Sequence, residues 1–190
     1  MRFRRTVLAL LVVGLSTPAH AGQARCVGFS DPAGDESPAI DSSLDITKVG
    51  WRTTGKSLVG TVTVAKAADH PVLSFENRFD LLFTVNNTDV VMFWKNSPVR
   101  AQEASAFYQQ GVRVDNVVAS GLVDGGWSGN TLTMSIKYKD LQEALGHPVI
   151  GKRFTKLGAL ARAAYLYNDA NVTYDTASSS ASFVGGAACQ

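Results

Sequence analysis

A period of two constrains this chain more than any other feature. Leu132, Met134, Ile136 and Tyr138 alternate with Thr131, Thr133, Ser135 and Lys137. Successive side chains of a strand point to opposite faces, so such a run makes one apolar and one wet face. The parity recurs elsewhere: Leu58, Gly60, Val62 and Val64 alternate with Val59, Thr61, Thr63 and Ala65, and Phe79, Leu81, Phe83 and Val85 with Asp80, Leu82 and Thr84. From Leu44 onward, short runs rich in Val, Ile, Thr and aromatics are separated by Gly, Asn, Asp and Ser, the composition of strands and turns. Asn86-Asn87-Thr88 predicts a hairpin turn, and Gly125-Gly126 with Ser128-Gly129-Asn130 predicts a turn region around Trp127. The alanines of Leu157 to Tyr167 would also suit a helix, but Tyr165-Leu166-Tyr167 and the parity of Ala159, Ala161, Ala163 and Tyr165 favour a strand packed closely against a neighbour. One short helix is expected from Asp140 to Leu145, with Asp140 as N-cap and Gly146 as its stop. The fold class that follows is all-β: an antiparallel, jelly-roll-like β-sandwich with at most one short helix.

The N-terminal residues predict export. Arg2, Arg4 and Arg5 form a positive start, Val7 to Leu15 is uninterruptedly apolar, and Ala19-His20-Ala21 supplies the small-x-small site that a signal peptidase cuts after. The apolar run is far shorter than the roughly 20 residues that span a bilayer. Residues 1–21 are therefore expected to be a cleaved signal peptide, residues 22–190 a single β-sandwich domain, and the mature protein secreted or periplasmic with no membrane span. Cleavage removes three of the 18 Lys and Arg and no acidic residue, leaving 15 bases against 16 acids. A nucleic-acid footprint is not supported by that balance.

Cys26 and Cys189 are the two cysteines, one near each end of the mature chain. Two thiols in an exported protein are expected to form one disulfide, which here would tie the termini together. Closing so long a loop contributes up to about 5 kcal/mol in the chain-entropy picture.

The acidic loop Phe29-Ser30-Asp31-Pro32-Ala33-Gly34-Asp35-Glu36, followed by Asp41 and Leu44-Asp45-Ile46, gathers carboxylates in a Gly/Pro turn. A hard cation such as Ca²⁺ requires this, because it takes six to eight oxygens in irregular geometry. The opposing reading is a solvated acidic loop leading into the first long strand.

Asp31-Pro32-x-Gly34-Asp35, then Leu44-Asp45-Ile46-Thr47-x-Val49, then Leu58 to Val64 resembles the start of the DOMON-like sandwiches related to family 9 carbohydrate-binding modules. The similarity continues through Leu132 to Tyr138 with Lys139-Asp140-Leu141, Gly146-x-Pro148-x-x-Gly151, and Asp175-Thr176-Ala177 before a last strand near Phe183. The resemblance implies a β-sandwich of about this size, calcium near the opening loop in some members, and binding of sugars or, in others, haem. It places Asp31 and Asp35 on the opening motif and Asp175 on the closing one, as metal ligands.

Sugar-binding members stack ligands on exposed aromatics, which makes Trp51, Trp94 and Trp127 the candidate platforms, with Trp127 in its Gly/Ser turn expected to be exposed. Haem would need axial ligands from Met92, Met134, His70 or His147, but Met134 lies on an apolar strand face and core packing explains it better. The chain holds no G-x-S-x-G, no H-E-x-x-H and no phosphate-binding glycine loop, and no pair of carboxylates stands out for glycoside hydrolysis. Glu76, Arg78 and Asp80 read as a solvated strand edge. The expectation is a non-catalytic binding module for carbohydrate or a cell-surface component, with calcium as its ion. The alternative is an extracellular structural or protein-interaction domain without a small-molecule site. Non-reducing peptide mapping of the exported protein should recover Cys26 and Cys189 as one cross-linked pair; two alkylatable thiols would refute the pairing.

Overall fold

The computed structural model describes residues 26–35, 44–66, 75–98, 106–114, 117–165 and 168–186. One sheet orders β1 (Cys26–Ser30), β2 (Ile46–Thr53), β3 (Ser57–Val64), β9 (Thr131–Lys137) and β8 (Val123–Ser128). The second orders β11 (Asn168–Ser179), β10 (Arg153–Tyr165), β4 (Phe75–Val85), β5 (Thr88–Pro98), β6 (Ala106–Val114) and β7 (Val117–Ser120), with the two-residue β12 (Phe183–Val184) also beside β10. Every pairing is antiparallel. The helix α1 (Tyr138–Leu145) follows β9 directly. The expected all-β sandwich with one short helix is the fold observed. No helix among the described residues is long and apolar enough to cross a membrane. The expected export signal, His70 and Cys189 lie outside the described residues; Cys26 opens β1 and is not a free thiol.

The alternating faces close on each other. Leu58, Val62 and Val64 from β3 and Leu132, Met134 and Ile136 from β9 meet Phe79, Leu81, Phe83 and Val85 from β4, all of them buried. Two bulges adjust the parity. The register between β2 and β3 shifts between Ile46 and Lys48, so both Ile46 and Val49 face inward although one is even and the other odd. A second shift, between Thr155 and Gly158 of β10, turns both Phe154 and Leu157 inward, with Lys156 at φ 49° in the bulge. At one end Trp51 meets Phe83 edge-on at 5.4 Å, and Phe154 stacks on Phe183 at 4.9 Å.

Turn chemistry matches the sequence where it was specific. Asn86 and Asn87 both take positive φ, 50° and 64°, between Val85 and Thr88 of the β4–β5 ladder, the conformation of a tight hairpin turn. The other turn is narrower than expected. Gly125, Gly126 and Trp127 are strand residues of β8, paired with Met134, Thr133 and Leu132, and the reversal falls at Gly129-Asn130. The helix also starts earlier than the cap signal suggested. Lys137 is its N-cap with no side-chain cap hydrogen bond, and Asp140 lies inside the first turn, where a carboxylate favours the dipole. Gly146 is the C-cap, as expected.

Gly60 leaves no room for a side chain between the layers. A Cβ built there would lie 2.5 Å from Leu81 Cδ1 and 3.1 Å from Trp51 Cζ3. Gly60→Val should therefore overpack the core and lower stability by about 1–3 kcal/mol. Urea unfolding checks this; an unchanged midpoint would show that the sheets separate at no cost.

Candidate metal centre

Four carboxylates converge at the corner where β1, β2 and β11 meet. Asp31 follows the last residue of β1, its amide donating to Thr47 O at 3.0 Å. The chain then turns through Pro32 and Ala33 to Gly34 at φ +83°, a left-handed conformation that suits glycine, and so brings Asp35 back toward Asp31. Asp45 stands one residue before β2, and Asp175 lies in β11 opposite Ala161 of β10. One carboxylate oxygen from each of Asp31, Asp35 and Asp175 lies within 4.8 Å of the other two.

Hydrogen bonds hold two of these groups in place. Asp175 Oδ2 accepts from the Ile46 amide at 2.6 Å, across 129 residues of sequence, and its Oδ1 accepts from the Thr176 amide at 2.6 Å. Asp45 is 3% exposed, and its Oδ2 accepts from the Gly34 amide at 2.9 Å. The opposite oxygen, Asp45 Oδ1, is buried without a hydrogen-bond partner, as is Asp31 Oδ2. A buried acceptor left unmade costs its desolvation, about 1–3 kcal/mol and more for a charged group.

The electrostatics point the same way. Burial first, and then the charges of Asp175, Asp35 and Asp45, raise the Asp31 carboxyl to about 6. Burial also raises Asp175; the amides of Ile46 and Thr176 pull it down, and the charges of Asp35 and Asp45 push it further up. Among the described residues, no Lys or Arg forms an ion pair with this group. An all-oxygen donor set of carboxylates, two with buried unpartnered oxygens, fits a hard cation of the Ca²⁺ type and not a soft metal that seeks thiolate or imidazole.

The structure thus brings together the three carboxylates named from sequence, with the charge of Asp45 bearing on Asp31 and Asp175 from beside them. Asp45 escaped the sequence-derived ligand set, although a lone carboxylate between Leu44 and Ile46, both buried, was a usable signal. The tryptophans require correction as stacking platforms. Trp51 is 1% and Trp94 7% exposed, because their positions in β2 and β5 point between the sheets. Trp127 is half-buried, meeting Phe79 edge-on at 5.2 Å, so it is a strand residue packed on the core and not an exposed loop platform. Asp80 is no part of a solvated edge either: its side chain is 1% exposed between Arg78 and Arg162.

No protein-family model, curated protein or solved structure matches this chain.

The raised Asp31 carboxyl sets a pH dependence for the ion-free protein. In the unfolded chain the group returns to its ordinary value of 3.8, so between there and about 6 the folded state holds the extra proton. Stability then falls as pH rises through that window, and the penalty is complete above it. In chelator, melting temperature should rise as the pH drops from about 7 to about 5, and Asp31→Asn should lose that component of the rise. Parallel wild-type and variant profiles would contradict this.

Proposed function

We propose that this chain is a secreted, non-catalytic binding module of the DOMON-like kind, with calcium closing the corner of its sandwich and a carbohydrate or another cell-surface component as its partner. The observation that carries the reading is the four-carboxylate corner with its buried, unpartnered Asp31 Oδ2 and Asp45 Oδ1. The opening motif around Asp31 and Asp35 and the closing motif at Asp175 are far apart in sequence, yet their carboxylates meet, which supports the resemblance that first set them side by side.

Calcium would be held by Asp31, Asp35, Asp45 and Asp175, and its chemistry there is structural: it neutralises charges that otherwise repel. Because the ligands come from three separated segments, the site exists only in the folded chain, and binding to the native state alone raises stability by RT ln(1 + [L]/Kd). The Cys26–Cys189 disulfide belongs to the same proposal, as a second fastening of β1. A second reading, a protein-interaction domain, is favoured by Val117 and Val118, 71% and 52% exposed on the edge strand β7.

Thermal unfolding in excess Ca²⁺ and in excess chelator tests the ion. At 100 times Kd the gain is about 2.7 kcal/mol, several degrees for a domain of this size. Asp35→Asn and Asp45→Asn should shrink the calcium shift, and the shift should also shrink as pH falls below about 6, where Asp31 holds its proton. Equal midpoints in the two buffers would remove calcium from the proposal. A pull-down on glycan and cell-wall fractions tests the partner; retention by protein components alone would favour the second reading.

A further inference from the structure

The outer face of the larger sheet carries an arrangement that packing does not explain. Register places Arg78 of β4 directly opposite Arg162 of β10 on one side and Lys95 of β5 on the other. Like charges directly opposite one another destabilise a sheet. Between the two guanidiniums stands Asp80, its side chain 1% exposed, with Arg78 Nε at 2.6 Å from Oδ1 and Arg162 Nε at 3.3 Å from Oδ2. Arg78 donates its Nε–H to the carboxylate and lies over the Phe93 ring at 4.8 Å, whereas Arg162 Nε stands in ion-pair range of Oδ2 without a hydrogen bond. Their side chains stay 19% and 24% exposed. In register, Arg78, Lys95 and Arg162 stand side by side around the single carboxylate of Asp80.

Beside the pair lies a hollow of about 190 Å³. Leu82, Lys156, Gly158 and Leu160 line it together with Thr176 and Ser178 of β11, and the surface it offers is almost wholly apolar. Leu160 lies two residues from Arg162 on the same face, a strand spacing of about 7 Å. The volume is below the roughly 300–1,000 Å³ of pockets that enclose a drug-sized ligand, so it seats one ring of a chain lying across the sheet.

We infer that this face binds an acidic saccharide, a uronic-acid unit whose ring C–H face rests on Leu82 and Leu160 and whose carboxylate meets the Arg78–Arg162 pair. The inference rests on the carbohydrate reading above and deepens it. A guanidinium offers planar paired donors that match a carboxylate, and here the pair is pre-oriented by Asp80, so little side-chain freedom is lost on binding. Arg78 and Arg162 are specificity-determining residues, and Asp80 is a positioning residue.

The test is calorimetric titration of the purified protein, in calcium-buffered solution, with oligogalacturonate, its methyl ester, a neutral glucan and a sulfated glycan of equal length. Oligogalacturonate should bind, and the methyl ester, which keeps the size and loses the charge, should bind more weakly by roughly tenfold or more. Arg162→Gln should weaken the acid to the level of the ester, and Arg162→Lys, which keeps the charge but not the fork, should fall between. Ser178→Trp fills the hollow from its exposed rim without touching Asp80, so it keeps the test valid if Arg162→Gln fails to fold. Equal affinity for acid and ester, or wild-type affinity in Ser178→Trp, would overturn the inference while leaving carbohydrate binding standing. Tighter binding of the sulfated glycan would overturn the carboxylate assignment, and failure of every saccharide would overturn the carbohydrate reading as well.

Discussion

Among the described residues, the backbone ladders run within each sheet and none runs between the two. Their mutual placement therefore depends on side chains alone, and at Gly60 the layers come as close as a missing Cβ permits. Burying the inner faces supplies the driving force, but apolar burial is non-directional and does not by itself choose one sliding position over another. Directional contacts make that choice at the periphery. The Asp175 carboxylate reaches out of the larger sheet to the Ile46 amide at the start of β2, and the Tyr138 hydroxyl accepts from the Gly186 amide near the opposite end of the chain.

Much of the fold was legible because half-buried antiparallel strands print their burial as parity. The inward positions at Leu58, Phe79 and Leu132 follow it, while Val59, Asp80 and Thr84 of the opposite parity are buried as well, and the Asn-Asn turn follows from the positive φ that its geometry demands. Legibility failed where parity is broken or local. The bulges at Thr47 and Lys156 let residues of opposite parity face the same way, and no composition rule marks them. β1 is too short to announce itself, with only Val27 and Phe29 turned toward the core. The Gly125-Gly126 pair read as a turn because glycine is usually one; here Gly125 is a strand residue whose Cβ would run into the backbone of Thr133.

The site divides along the same line. Asp31, Asp35 and Asp175 were legible because a carboxylate-rich turn has a chemistry, whereas the burial of Asp45 comes from tertiary packing. The tryptophans misled for a related reason. An indole serves core and surface equally well, and only the layer it points into decides. Two buried carboxylates of this molecule also take opposite solutions: Asp80 is flanked by two arginines, and Asp45 by other acids. The first has its counter-charges within the sheet, and the second sits among like charges.

The acidic corner has a further effect on the sheet edge. β1 is the outermost strand of the smaller sheet, five residues long, and a strand so placed presents unpaired amides and carbonyls to any extended chain that comes alongside. A chain adding itself there must pass Asp31 and Asp35 at the end of β1, where it meets concentrated negative charge. An acidic segment is repelled there, so the charge at the end of β1 discriminates against such strands at this edge of the sheet.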